Sequence, residues 1–519
     1  MYLTEYTSYA DAQAHFASQK LWELFDGDRE RLNIAHECID RHAGDAERVA
    51  LRVAHADGGD EVLTFRHIAE QSSRFAHVLQ AEGIEAGERV AIMLEPGEAY
   101  YVALFGCMKA GCVAVPLFTA FGPDGLRLRI DDCTPKVLLT TADKADIAED
   151  IPGLAIWLAD DALQTRINSF PAAFEVNTSG SDMAVFQYTS GTTRALPDAI
   201  KHTHRAVVVV IVAALYGTGI RPSDKYFCPS SPAWGHGLWH GTLAPLALGV
   251  ETGAYAGKFD ADRLMQALVD FGTTNLSAAA THYRMMMNAG SASGYAFKFE
   301  KLSFTGEPMD SETAAFCERT FGFPVRSMYG TTEIGVILVN YPGAADFPVK
   351  PGSLGKPPPG VEVEVQRADG TPTAPGELGE IMLRRRGEWF PTKDLGTVDE
   401  DGYFYHGGRA DDVIISAGWT ISAVEVEDAL LKHPDVLEAA CIGVPDEARG
   451  QVVKGFLVAK RSGEAFADEV RQFVRSRLSA HEYPRIIETV PDLPKTPAGK
   501  VNRKVLREAE SARASKSKA

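Results

Sequence analysis

Val90-Ala91-Ile92-Met93-Leu94 and, one helical stretch later, Val113-Ala114-Val115-Pro116 are apolar runs of the length a buried strand takes. Before the first lies a polar-apolar stretch of helical texture that ends near Ala81-Glu82-Gly83. Helix, strand, helix, strand in this rhythm is the pattern of parallel strands joined by helical crossovers. It predicts an α/β fold. The alternation recurs at residues 136–141 and 274–287, with glycine and proline at the joints, so most of the chain reads as one large, multi-layer region with parallel sheets.

Past Gly360 the texture changes. Val361-Glu362-Val363-Glu364-Val365 and Glu380-Ile381-Met382-Leu383 are short alternating strands joined by Asp369-Gly370 and Pro375-Gly376 turns, which predicts a small β subdomain. Beyond Asp411 a helix around residues 424–432, strands near 439–444 and 452–459, and a helix over 468–478 predict a compact α+β unit. Residues 511–519 are expected to fray. A chain of 519 residues exceeds the size at which single cores stop growing, so at least two domains are expected.

Composition narrows the function. With 45% apolar and 24% charged residues the chain reads as a soluble globular protein, and a formal net charge of -18 repels nucleic acid and anionic membrane. Arg384-Arg385-Arg386 is the dense basic run; it suits either the phosphates of an anionic ligand or a charged edge strand. The first residues lack a basic stretch followed by an apolar core, and the longest apolar run, residues 206–216, is far short of the roughly 20 that span a bilayer. A cytoplasmic protein is expected. Cys38, Cys107, Cys112, Cys133, Cys228, Cys317 and Cys441 never form Cys-x-x-Cys, which fits a reducing compartment and argues against structural zinc.

Phe186-Gln187-Tyr188 reads as a strand end, and Thr189-Ser190-Gly191-Thr192-Thr193 follows it. Its hydroxyls surround a glycine that lets backbone N–H groups close on an anion, so the loop suits phosphate oxygens. By composition alone it also fits an ordinary solvated turn. It is not a Walker loop, because no Gly-Lys-Ser/Thr follows at the required distance.

Other segments accompany it in chain order: Ser327-Met328-Tyr329-Gly330-Thr331-Thr332-Glu333, Thr392-Lys393-Asp394, Gly408-Arg409-Ala410-Asp411-Asp412 and Pro494-Lys495-Thr496-Pro497-Ala498-Gly499-Lys500. Together they resemble the motifs of the adenylate-forming superfamily of AMP-binding enzymes and acyl-CoA synthetases. The resemblance covers nearly the whole chain and is strongest to medium-chain and aromatic acyl-CoA ligases, notably in residues 418–436 and 483–503. It implies an adenylation domain over residues 1–410, with the β subdomain at about 350–410, and a mobile C-terminal domain over 411–519. The implied reaction turns a carboxylic acid and ATP into acyl-AMP and pyrophosphate, then transfers the acyl group to coenzyme A, with Mg²⁺ as cofactor.

The resemblance also implies roles for residues. The loop from Thr189 to Thr193 would hold the β- and γ-phosphates; Thr332 and Glu333 would sit at the α-phosphate and Mg²⁺, a hard cation that takes carboxylate oxygen. Gly306-Glu307-Pro308 and Ser327-Met328-Tyr329 would flank adenine, with the Tyr329 ring on its face. Asp394 and Arg409 would meet the ribose. Lys500 would reach the reacting carboxylate and α-phosphate, where loss of one such donor costs about 10²- to 10³-fold in rate. Asp411 matches the hinge between an adenylating and a thioesterifying pose, and Gly418 with Trp419 would line the pantetheine path in the second.

For the acid, Ser230-Ser231-Pro232-Ala233-Trp234-Gly235-His236-Gly237 falls where the family builds a pocket wall, and it contains no acidic residue to pair an amino acid's ammonium group. Trp234 and His236 either shape that pocket or are packed core residues. Acetate-activating relatives carry tryptophan where this chain has Gly330, so a medium-chain or aromatic acid is expected. Three features depart from the family pattern, one of them Thr420, which stands where relatives often carry arginine. The loop leaves through Arg194-Ala195-Leu196-Pro197-Asp198-Ala199 instead of Gly-x-Pro-Lys-Gly, and residues 387–393 are short. A carrier protein's phosphopantetheine instead of free coenzyme A, a non-catalytic nucleotide or acyl sensor, and a monomer or homodimer all stay open.

Overall fold

A computed structural model describes residues 2–148, 151–188, 199–331, 334–409, 414–416, 419–421, 423–446, 450–478, 483–496 and 501–517. Contacts divide the chain into two compact units, one of Met1–Thr305, Gly330–Pro348 and Pro358–Gly360, the other of Gly306–Tyr329, Val349–Pro357 and Val361–Ala519.

In the first unit, β1 (Arg89–Met93), β2 (Val113–Pro116), β3 (Val137–Thr140), β4 (Ala155–Leu158), β5 (Met183–Gln187) and β6 (Ile200–Thr203) form one sheet in the order β4-β3-β1-β2-β5-β6. Its neighbours run parallel except β5 and β6. β2 and β3 are buried at every position, and β1 at all but its first. Burial on both faces is why these strands read as unbroken apolar runs instead of alternating ones. A second sheet places Lys301–Thr305, Asn275–Ala279, Tyr226–Phe227, Thr252–Ala256 and Val49–His55 side by side in parallel, with Asp60–Thr64 antiparallel to the last.

Helix α1 (Phe65–Ala81) starts where the Thr64 hydroxyl accepts the His67 N–H at 3.1 Å, and it buries Phe65, Ile68, Phe75, Val78 and Leu79. Gly83, at φ +72°, follows its end. Helix α2 (Glu98–Lys109) approaches α1 so closely at Gly106 that a Cβ there would lie 2.7 Å from the Phe75 ring and 2.9 Å from the Ser72 carbonyl oxygen. Helix α3 (Pro123–Cys133) has proline in its first turn and ends at Thr134, which takes φ +43°.

The second unit contains an antiparallel sheet in which β7 (Gly379–Arg385), β8 (Glu388–Val398) and β9 (Phe404–Arg409) are flanked by Val363–Gln366 beside β7 and Ser353–Gly355 beside β9. Farther along, Val436–Asp446 and Gly450–Ala459 pair antiparallel, and the helices Ala423–Leu431 and Glu464–Arg475 close a core of Val426, Leu430, Phe466, Val470 and Val474. Of the expected frayed tail, residues 518–519 lie outside the described residues, and residues 511–517 instead continue a helix, Arg503–Ser517. It is anchored by charge: Arg503 Nη2 donates to both Glu427 carboxylate oxygens, at 2.9 and 2.7 Å, and Lys454 reaches Glu510 at 2.8 Å.

All seven cysteines are free and buried. Burial pushes every thiol up, that of Cys133 to about 11 and those of Cys112 and Cys228 to about 12. Among the described residues no helix is long and apolar enough to cross a membrane.

Candidate active site

Thr392-Lys393-Asp394 lies inside β8 but outside its ladder with β7. Glu380 pairs with Leu395 and Met382 with Pro391, so these three residues of β8 stand opposite the single Ile381 of β7. The excess is taken up by Lys393, at φ +63°, whose N–H donates to Glu380 Oε1 at 3.1 Å. Thr392 Oγ1 donates to the Ile381 carbonyl at 2.8 Å and accepts the Asp394 N–H at 3.1 Å. A bulge of this kind bends the strand and re-aims one side chain.

That side chain is Asp394, which is 4% exposed. Its Oδ2 accepts the Tyr329 hydroxyl at 2.5 Å, across 65 residues of sequence, and its Oδ1 stands 3.8 Å from His406 Nε2. In the β8–β9 ladder Asp394 is the direct partner of Arg409, whose backbone alone is described. Tyr329, Asp394 and the Arg409 backbone are therefore neighbours within the second unit. Ser327 and Met328 are buried, while Tyr329 is half-buried with its ring 6.0 Å from that of His406. Gly306, at φ +97°, and the half-buried Glu307 precede the exposed Pro308.

In the first unit the wall segment turns into a π-helix, His236–Leu243. Its tight entry depends on Gly237, where a Cβ would lie 2.2 Å from the Ser231 carbonyl oxygen, and Gly241 packs so closely on Cys228 that a Cβ there would lie 2.9 Å from the Cys228 Cβ and Sγ. The His236 ring is 3% exposed, with Nδ1 2.9 Å from the Ser230 hydroxyl and Nε2 2.9 Å from the Ser277 hydroxyl. It is held as a core histidine with both nitrogens engaged. The half-buried Trp234 stands edge-on to it at 5.3 Å and packs against the cluster of Phe118, Phe121, Tyr188 and Ala233.

Gly330 has a structural reason of its own. A Cβ there would lie 2.0 Å from the Gly335 carbonyl oxygen and 2.7 Å from Val336 Cα. Backbone fills the space a side chain needs. The arginine run ends at a hairpin: Arg386 and Gly387, at φ +52° and +88°, make the turn between Arg385 and Glu388. Since β7 has a partner on each side, it is not an edge strand. Arg384 lies 5.4 Å from the Trp389 ring and 3.6 Å from Glu362.

Thr189, Ser190, Gly191, Thr192, Thr193, Arg194, Asp198, Thr332, Glu333, Asp411, Gly418 and Lys500 lie outside the described residues, and of Trp419 only the backbone is described. Lys495 and Val501, on either side of the Lys500 segment, form an antiparallel bridge. Sequence reasoning missed His406, which nothing in an alternating strand distinguishes, and the left-handed Lys393, a conformation with no signal in a lysine.

Two family models match the chain, that of AMP-binding enzymes over residues 40–388 and the AMP-binding enzyme C-terminal domain over residues 425–500. The chain belongs to the AMP-binding enzyme family. Within this family it is 30% identical to an acetyl-coenzyme A synthetase of Bacillus subtilis, over 92% of this chain and 90% of that one. It is 29% identical to the mitochondrial acyl-coenzyme A synthetase ACSM3 of Rattus norvegicus, over 93% and 91%. The crystal structure of a benzoate CoA ligase from Burkholderia xenovorans superposes with a TM-score of 0.81 at 26% identity, covering 92% of this chain and all of that one. These relatives span short-chain and aromatic acids.

Proposed function

We propose that this chain activates a medium-chain or aromatic carboxylic acid. ATP-dependent acyl-CoA ligation by way of acyl-AMP is its chemistry, which makes it an acid–thiol ligase. A carboxylate oxygen attacks the α-phosphorus and pyrophosphate leaves; the thiol sulfur then attacks the acyl carbon, AMP leaves, and the thiol proton is released.

The reading of the nucleotide site rests on one observation, the meeting of Tyr329, Asp394 and the Arg409 position around the β8 bulge. A buried carboxylate fixed by a tyrosine hydroxyl is suited to accept ribose hydroxyls, because it has acceptor sites for more than one donor. The half-buried Tyr329 ring would lie on adenine. Thr189 to Thr193 would take the phosphates and Lys500 the charge that grows at the α-phosphate. Mg²⁺ carried by the nucleotide needs only one or two protein carboxylates, and Glu333 would be one. Among the described residues no group of three or more His, Cys, Asp or Glu side chains is arranged to hold a metal.

Residues 1–410 would be the adenylation domain and 411–519 the mobile one, hinged at Asp411; the two family models match on either side of that residue. We assign coenzyme A as acceptor, with Gly418 and Trp419 on its path, and a cytoplasmic location. The acid assignment rests on a wall of Ser230 to Gly237 that carries no acidic side chain, beside aromatic and aliphatic neighbours.

The test is pyrophosphate release from ATP with acetate, hexanoate and benzoate, with and without coenzyme A, followed by mass detection of the thioester. Hexanoate or benzoate should exceed acetate. A clear acetate preference would overturn the acid assignment, thioester formed only on a carrier protein would overturn coenzyme A, and no pyrophosphate with any acid would favour a sensor.

A further inference from the structure

Residues 189–198, the phosphate loop and its exit, join β5 to β6. The strands are closed beneath them by antiparallel pairing up to Gln187 and Ile200. Tyr188 and Ala199 are therefore the first positions above the last rung. Both are held by one atom. Asp132 Oδ2 accepts the Tyr188 hydroxyl at 2.6 Å and the Ala199 N–H at 3.1 Å.

Asp132 stands in the last turn of α3, a helix with no basic residue there. A carboxylate at a helix C-terminus faces the negative end of the macrodipole, so the position is unfavourable unless other donors offset it. Tyr188 is 2% exposed, its ring is 5.6 Å from the Arg129 guanidinium, and its hydroxyl also approaches the Arg129 carbonyl at 3.0 Å. Burial keeps that hydroxyl protonated, and so a donor.

We propose that Asp132 is a positioning residue for ATP: by holding Tyr188 and Ala199 together it fixes the spacing from which the phosphate loop departs. It touches no substrate and acts through the neck. The inference rests on the proposed role of residues 189–193 in holding the β- and γ-phosphates. A loop anchored at both ends gives up less freedom when phosphate binds, so loosening the neck weakens ATP binding more than the later steps.

The experiment compares wild type with Asp132→Ala, Asp132→Asn, Tyr188→Phe and the double variant Asp132→Ala/Tyr188→Phe. Apparent KM for ATP in pyrophosphate release should rise about tenfold for Asp132→Ala and less for Asp132→Asn, which keeps an acceptor. KM for the acid, and thioester formation from supplied acyl-adenylate, should stay within about twofold, since neither needs the pyrophosphate grip. Tyr188→Phe removes only a hydroxyl and should raise KM for ATP while adding little on top of Asp132→Ala, as expected of one shared contact. Unchanged KM for ATP in an active Tyr188→Phe enzyme, or equal loss in both half-reactions, would overturn the inference. A wild type that releases no pyrophosphate with any acid would instead overturn the reading beneath it.

Discussion

Replacing Gly330 by alanine adds one methyl group, and its effect can be worked from three distances. The new Cβ would lie 2.0 Å from the Gly335 carbonyl oxygen, 2.7 Å from Gly335 C and 2.7 Å from Val336 Cα. A carbon and a carbonyl oxygen come to rest at about 3.3 Å, so backbone must move by about 1.3 Å. No rotamer can relieve this, because the three nearest atoms are all main chain. Overpacking of this sort costs about 1–3 kcal/mol, and each kcal/mol lowers the melting temperature by roughly 1.5 °C in a unit of this size. Gly335→Asn is the control: among the described residues nothing lies within 4 Å of its Cβ, and asparagine tolerates a positive φ such as the +76° found there. Thermal unfolding and pyrophosphate release with acetate, hexanoate and benzoate would be read together. Gly330→Trp should be strongly destabilised instead of becoming an acetate enzyme. A Gly330→Ala protein that melts within about 1 °C of wild type, or a stable Gly330→Trp enzyme with a new acetate preference, would refute the reasoning.

Tyr329→Phe removes the hydroxyl that donates to Asp394 and should raise apparent KM for ATP about 3- to 10-fold with little change in melting temperature; an unchanged KM would remove Tyr329 from the nucleotide site. Lys393→Gly should relieve the left-handed strain at φ +63° and raise stability by up to about 1 kcal/mol in thermal unfolding, and a clear loss would mean the lysine side chain holds the bulge. His204 is fully buried, and burial, partly opposed by Asp182, lowers its pKa from 6.5 to about 4. Above pH 6.5 both states carry it neutral; as pH falls towards 4 only the unfolded chain takes the proton, so stability drains away across that window, by about 2 kcal/mol at pH 5. Denaturant midpoints of wild type and His204→Gln at pH 7 and 5 should differ in slope; parallel profiles would refute it.

The parallel core was legible because β1, β2 and β3 are buried on both faces and so carry unbroken apolar runs. The β subdomain was legible for the opposite reason, alternation between glycine-containing turns. What could not be read was set by long-range geometry. The bulge in β8 is a mismatch of strand lengths between Glu380 and Met382, and no residue type announces it. His406 gains significance only from Asp394 beside it. Gly330 was readable as room for an acid, whereas its immediate neighbour is the Gly335 backbone, a contact that sequence does not carry. Residues 511–519 are expected to fray as a chain end, yet Glu510 is tied to Lys454 and Arg513, and those ties accompany a helix that runs to Ser517.

The burial of all seven thiols has a chemical consequence. An acyl adenylate is a mixed anhydride that acylates whatever thiolate reaches it. Cys228 is two residues before the wall segment, yet burial lifts its thiol to about 12, so almost none of it is ionised near neutrality. With every other cysteine buried and shifted the same way, the incoming substrate brings the reactive sulfur. The fold thus guards the intermediate against its own polypeptide. It also makes thiol alkylation a clean gauge of unfolding, since modification of the native chain requires a segment of core to open first.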